Sequence, residues 1–340
     1  CIRDRLNARL FELSQQPDAP FAFAASGQFS FARGTEIFQL FASVPEGGIL
    51  PGMESILVEA ERVARHGFTP SELERERTNL LRGLERAYAE RENQESGTFA
   101  AEYLRHFLEG ESIPGIEFEF RAVQTLLPAI TLEEVNDVAR AWTLDRNRVV
   151  LVNSPEKEGL AVPDEAELSA VFQGVVGAEI APYEDAATDE PLLGAMPTPS
   201  SVAEESSIPE LGVTEWTLEN GVRVLIKPTD FKDDEVVFQA YSPGGFSLSS
   251  VEDHMSASNA AQVVSLGGVG SFSQVDLGKK LAGTAASVSP SIGELSEGFS
   301  GAASPKDLET LFQLIHLYFT APRKDPVAFQ AFQQQVVAFL

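Results

Sequence analysis

Residues 155–212 constrain this chain most. The stretch is rich in Pro, Glu, Asp, Ala and Ser, and its one apolar patch lies near Leu168 to Val176. An irregular run of that length does not belong inside a compact domain. It therefore divides the chain into a unit over 1–154, an acidic interdomain linker over 155–212, and a unit over 213–340. A small helix and a strand within the linker are expected to dock on one of the units. The 340 residues suffice for two domains, and 43% hydrophobic content fits chains with a real core.

Both flanks alternate strand and helix signals. Ile2, Leu6, Leu10 and Leu13 share one helical face, with Arg3, Asp4, Arg5, Arg9 and Glu12 on the rest. Strands are predicted over 21–25, 28–32 and 36–44, with Gly34 turning between the last two. A helix over 53–66 is closed by Gly67. Thr69-Pro70-Ser71-Glu72 is a helix start, with Thr as N-cap, Pro at the first position and Glu closing a capping box. An apolar stripe from Leu73 through Leu80, Leu81 and Leu84 to Tyr88 follows. The helix loosens over 93–97 and resumes through Phe99, Tyr103 and Phe107. Thr131 with Glu134 opens another helix, and 148–152 reads as a strand.

After the linker, Asn220-Gly221 supplies the positive φ angles of a hairpin turn. Strands are predicted over 222–227 and 235–241. A helix of small residues then ends at Gly267-Gly268-Val269-Gly270. A short helix over 275–281 and two strands turning near 290–293 come next. Ser304-Pro305-Lys306-Asp307 repeats the Thr69 cap design, ahead of a buried stripe of Leu308, Leu311, Phe312, Ile315 and Phe319. A last helix occupies 325–340. The fold class is α+β, an antiparallel-rich sheet with helices on one face in each unit.

Composition narrows the partners. The net charge of −26 disfavours nucleic acid, which is held by Lys and Arg neutralising phosphates, and likewise an anionic membrane surface. No apolar run approaches the roughly 20 residues that span a bilayer, so no membrane insertion is expected. One cysteine excludes an internal disulfide and a Cys-type zinc site. Cys1, at a terminus, is a poor nucleophile. The chain opens and stops inside helical patterns, and a fragment of a longer protein is expected.

Candidate chemistry is sparse. His66, His106, His254 and His316 are far apart in sequence. His106-x-x-Glu109 is a metal-motif fragment without a second His, and reads as a polar group near a helix end. His254 belongs to a solvated cluster with Glu252 and Asp253, and His316 follows an apolar stripe as a structural His. Arg86, Arg91 and Arg105 read as a solvated face with partners such as Arg82 with Arg86 and Glu90. Gly267-Gly268-Val269-Gly270 lacks the spacing and the Lys-Ser/Thr of a phosphate loop.

Several runs together carry a resemblance. They are Asn7-Ala8-Arg9-Leu10 with Pro17 to Phe21, Arg105-His106-Phe107-Leu108-Glu109-Gly110, Ile113-Pro114-Gly115, the 216–245 strand pair, Ser304 to Glu309, and Phe319-Thr320-Ala321-Pro322-Arg323. They resemble the second and third domains of the insulinase/pitrilysin-type zinc metallopeptidases (M16 family), in the bacterial form with two half-repeats. In an active half of such enzymes the helix after the strand pair bears His-x-x-Glu-His. Here Ser258, Ala261 and Gln262 stand roughly in those places, so the resemblance implies an inactive half-repeat. It assigns no catalytic, metal-ligating or substrate-binding residue to this chain. It implies zinc in a first domain outside the chain, a clamshell chamber enclosing peptide or unfolded-protein substrates, and contacts with the parent's remaining domains. Export to the periplasm or cell envelope is common among bacterial members of this type. The alternative is a non-catalytic scaffold or recognition subunit beside an active partner.

Overall fold

A computed structural model of the chain describes residues 2–32, 35–143, 146–186 and 189–339. Helix α1 (Ile2–Ser14) lays Leu6 and Leu10 into a core shared with strand β1 (Phe23–Ala32), strand β2 (Thr35–Ser43) and helix α2 (Ile49–His66). β1 and β2 pair antiparallel from Phe23↔Ser43 onwards. The strands expected at 21–25 and 28–32 are one strand, because Gly27 holds register opposite Gln39 and no turn interrupts it. The expected Gly34 turn and the Cys1 reading lie outside the described residues.

Helix α3 (Pro70–Ala89) starts at the Thr69–Glu72 capping box. Helix α4 (Ser96–Glu109) follows the expected break and ends at Gly110, whose φ of 73° is the left-handed C-cap conformation. Helix α5 (Ile116–Leu126), not anticipated, stacks Phe120 on Tyr88 of α3 at 5.0 Å. Helix α6 (Leu132–Trp142) begins at the Thr131–Glu134 box and buries Val135 and Ala139 in the first core. Residues 148–152 are not a strand. Val149 is 92% and Leu151 79% exposed, and no neighbouring strand pairs with them among the described residues. Alternation specifies a strand's faces but not a partner for its N–H and C=O groups.

Within 155–212, helix α7 (Glu165–Gly177) packs on α2. Arg65 of α2 donates to the carbonyls of Val175, Val176 and Ala178. Strand β3 (Val202–Ile208) pairs with β4 (Val213–Leu218), which pairs with β5 (Arg223–Ile226); all are antiparallel. Gly221 turns the β4–β5 hairpin at φ 86°. A separate sheet has the order β6 (Val236–Pro243), β8 (Ser296–Ala303), β7 (Ala286–Ile292). The β7–β8 turn falls after Ile292, because Pro290 stays in the ladder on an edge strand, where a missing N–H is tolerated.

Helices α8 (His254–Gly267), α9 (Gln274–Lys280), α10 (Leu308–Thr320) and α11 (Pro326–Phe339) complete the chain. α10 buries Leu311, Leu314, Ile315 and Leu317 against the β6–β8–β7 sheet and Val269, while Phe312 and Phe319 are exposed. Both still meet the sheet edge-on, Phe312 against Phe238 and Phe319 against Phe299. Ser304 is no cap of the Thr69 kind. Its hydroxyl donates to Asp234, and α10 begins through a 3₁₀ turn. The architecture is α+β, with helices and antiparallel sheets mixed along the chain.

Candidate functional site

Helix α8 occupies the place where the resemblance expects a zinc motif in an active half. Asp253 stands at its N-cap, and Gly268 ends it at φ 81°. An added Cβ at Gly268 would lie 2.2 Å from the Phe272 carbonyl, so only glycine fits this exit. Ser258 donates its hydroxyl to the Met255 carbonyl, Ala261 offers a methyl, and Gln262 is exposed. A hydroxyl already engaged, a methyl and an amide do not make a zinc site, which takes imidazole, thiolate or carboxylate. Among the described residues, no three His, Cys, Asp or Glu side chains are grouped to hold a metal.

The four histidines have separate local roles. His66 Nε2 lies 2.7 Å from the Ile180 carbonyl and ties α2 to the segment after α7. His106 Nδ1 meets the Glu111 carbonyl at 2.5 Å, just past the end of α4. His254, exposed beside Glu252 and Asp253, packs edge-on against Phe246, with ring centroids 5.1 Å apart. His316 is half-buried on α10.

Charge is concentrated elsewhere. Arg9, 1% exposed, forms a two-pronged bond to Glu72, with Nε to Oε1 at 2.7 Å and Nη2 to Oε2 at 2.8 Å. Its Nη1 reaches Glu59 at 3.1 Å, and its guanidinium lies between the rings of Phe68 and Tyr183. Such a planar fork suits arginine alone. Arg5 is also buried, at 2% exposure. Arg5 and Arg9 lie off α1's apolar face and are nonetheless buried. Carboxylates on α2 and α3 draw Arg9 inward, and Phe68 covers both guanidiniums.

A second network crosses from α1 and α3 to α9 through residues 183–185. Tyr183 donates to both Glu12 oxygens, at 2.8 and 2.9 Å. Lys279 of α9 contacts Glu12 at 2.7 Å and Asp185 at 3.1 Å. Asp185 also receives Arg75 at 2.7 Å, and the Ser71 hydroxyl. Burial pushes the Asp185 carboxyl up, but bonds from Arg75, Ser71 and Lys279 outweigh it and hold the group at about 2. Burial likewise opposes the charge on Lys279, yet Glu12 and Tyr183 raise its pKa above the ordinary lysine value.

A third cluster joins the C-terminal end of α3 to the β6–β8–β7 sheet. Arg82 Nη2 lies 3.4 Å from Asp234 and 3.2 Å from Asp307. Glu90 accepts the Asp234 amide at 2.6 Å, and Arg86 Nε is 3.7 Å from Asp234. Arg86 thus reaches this contact while keeping 43% of its side-chain surface, whereas Arg91 sits over the Tyr88 ring and Arg105 pairs with exposed Glu111. Arg75, Tyr183, Asp185 and Lys279 were absent from the sequence reading. The aromatic Tyr183 inside an acidic, proline-rich stretch was the one signal for them. These groups can hold two parts of a chain in register.

No family model matches the chain. A zinc protease PQQL-like protein of Arabidopsis thaliana is 31% identical over 271 residues, covering 78% of this chain and 25% of its own length. A probable zinc protease PqqL of Haemophilus influenzae is 21% identical over 275 residues, covering 80% of the chain and 29% of that protein. The chain therefore spans between a quarter and a third of the curated relatives it matches. The crystal structure of a mutant of the ferredoxin protease FusC, in complex with Arabidopsis ferredoxin, superposes with a TM-score of 0.59 at 20% identity. It covers 99% of this chain and 37% of that one. That likeness bears on the fold. Among the described residues, no helix is long and apolar enough to cross a membrane.

Proposed function

Because this chain belongs to the insulinase/pitrilysin-type (M16) peptidase family, we propose that it is a non-catalytic portion of a zinc metalloendopeptidase. In this reading it forms part of the wall of a chamber that encloses peptide or unfolded-protein substrates. The unit over 213–340 is the inactive half-repeat, the unit over 1–154 is a second M16-like domain, and 155–212 joins them. Zinc and its general base belong to a domain outside these residues, and no step of the hydrolysis is assigned to this chain. The periplasm or cell envelope is the proposed compartment.

The observation that carries the reading is α8. In a chain related to zinc proteases, it is the helix that the resemblance sets against the metal helix of an active half, and it presents Ser258, Ala261 and Gln262 instead. The buried ionic seam supports a structural role for the same reason. Its charged groups are engaged with one another across elements.

Elemental analysis and a peptidase assay on the 340-residue chain test this directly. No stoichiometric zinc and no cleavage of a quenched peptide library are expected. One tightly bound zinc per chain would sink the proposal. Reading the parent coding sequence upstream of Cys1 separates the alternative. A His-x-x-Glu-His there makes this a piece of the peptidase, and its absence makes it a scaffold or recognition subunit.

A further inference from the structure

Helix α4 is amphipathic, yet no residue of it is buried. Two apolar rows run along it at four-residue spacing, Phe99–Tyr103–Phe107 and Ala100–Leu104–Leu108. Residues four apart are neighbours on a helix surface, so the rows lie side by side on one arc. The arc is open: Tyr103, Leu104 and Leu108 are exposed, and Phe107 is 83% exposed. A helix this short is marginal in water unless an apolar side is covered, and a contiguous exposed apolar surface marks a contact site.

Charge selects the occupant. Over 95–111 Glu95, Glu102, Glu109 and Glu111 outnumber the single arginine, Arg105, whose guanidinium is taken by Glu111 at 2.6 Å. Glu95 and Glu102 stand four and three residues from Phe99 and so border its row. The net charge of −26 acts in the same sense, because it repels a second copy of the chain and attracts a cation. Lysine and arginine also pack favourably on aromatic rings. We propose that α4 is a docking surface for a cationic amphipathic helix. The partner's apolar side chains enter the groove between the two rows, in the ridge-into-groove manner of packed helices. Its lysines or arginines reach Glu95, Glu102 and Glu109. From Phe99 to Phe107 the row is about 12 Å long, which engages roughly two turns of the partner. The surface stands whether or not the chain is part of a chamber wall.

The test is a titration of the 340-residue chain into a fluorescein-labelled peptide of about 18 residues, five helical turns, read by anisotropy. The peptide is built of leucine and lysine, with the leucines in two rows four residues apart. Saturable binding is expected. Two controls should each bind at least about tenfold more weakly: the same peptide with glutamate for every lysine, and a shuffled peptide that keeps the composition but breaks the rows. Phe107→Ala, a change at an exposed position, should weaken the cationic peptide at least about tenfold. Glu102→Gln combined with Glu109→Gln should weaken it about threefold and flatten its dependence on salt. Equal binding by either control peptide, undiminished binding by Phe107→Ala, or no saturable binding at all would overturn the proposal. A dimer in sedimentation velocity that Phe107→Ala abolishes would overturn it as well, by giving the surface to a second copy.

Discussion

Two buried ionic networks lie within a few residues of each other on α1 and do different jobs. The Arg9–Glu72–Glu59 network stays among α1, α2 and α3 and sits on the apolar core of Leu6, Leu10, Phe68 and Leu73. The Glu12–Tyr183–Asp185–Lys279 network links that assembly to α9. In the first, side chains are nearly inaccessible and the fork geometry is fully used. In the second, Lys279 and Glu12 keep 12% and 21% of their side-chain surface, and the packing around them is thinner. The difference is between a network that fixes how one assembly folds and one that fixes where a second assembly sits.

The largest test of that contrast is Arg9→Met. It leaves Glu72 without its buried counter-ion, and removing one member of a buried pair costs about 3–5 kcal/mol. Urea unfolding followed by far-UV circular dichroism should show that loss. A change below about 1 kcal/mol would mean Glu72 relaxes to solvent and the network does not define the core.

Asp185 should behave differently. Its folded pKa of about 2 lies below the ordinary carboxylate value of 3.8. Its contribution is therefore fully present above that ordinary value and is lost as pH falls through about 2. The shift corresponds to about 2 kcal/mol. Comparing the chain with Asp185→Asn in urea at pH 7, 4 and 2 should give a gap that closes towards the acid end. Hydrogen exchange should rise in α9 and not in α1. Faster exchange in α1 as well would merge the two networks into one.

Most features closed within four residues were readable in the sequence, the Ser304 cap excepted because its hydroxyl goes to Asp234, and those needing a distant partner were not. The Thr69 and Thr131 capping boxes, the Gly221 hairpin and the Gly110 helix end rest on local chemistry, and they stand where the residues place them. The burial of Arg9 was not readable because its carboxylate partner is 63 residues away. Arg5 and Arg9 flank Leu6 and Leu10 at helical spacing, and a cation beside an apolar stripe was the available hint. Strand 148–152 failed for the opposite reason, since its pattern was sound but no ladder receives it. As for the site, the α8 residues were legible through the family's motif. The seam was not, because Tyr183 and Asp185 lie in a stretch whose composition argues for a solvated linker.

Thr69→Ala and Thr131→Ala sharpen the comparison further. Each removes an N-cap hydroxyl bonded to the backbone N–H three residues on, at 3.3 and 3.2 Å. Loss of such a cap costs about 1 kcal/mol. The Glu that completes the Thr69 box is Glu72, the partner of Arg9. If Arg9 alone orients Glu72, the two substitutions should cost the same in urea unfolding. A Thr69→Ala cost well above that of Thr131→Ala would place the cap inside the buried network.

The smallest expected effect concerns α8. Gln262 is exposed, and an exposed glutamine replaced by alanine in a helix changes stability by less than about 0.5 kcal/mol. Gln262→Ala should leave the urea midpoint, and the metal content of the purified chain, where they were. The result matters because α8 is where a shared ancestry with zinc proteases would most readily leave a ligand. If the chain carried stoichiometric zinc and lost it on this substitution, α8 would be a metal helix. The contrast between a chemically silent α8 and a charge-rich seam would then collapse. If neither quantity moves, the charged groups of this molecule that bind one another lie in the seam, at Glu12, Asp185 and Lys279, rather than on α8.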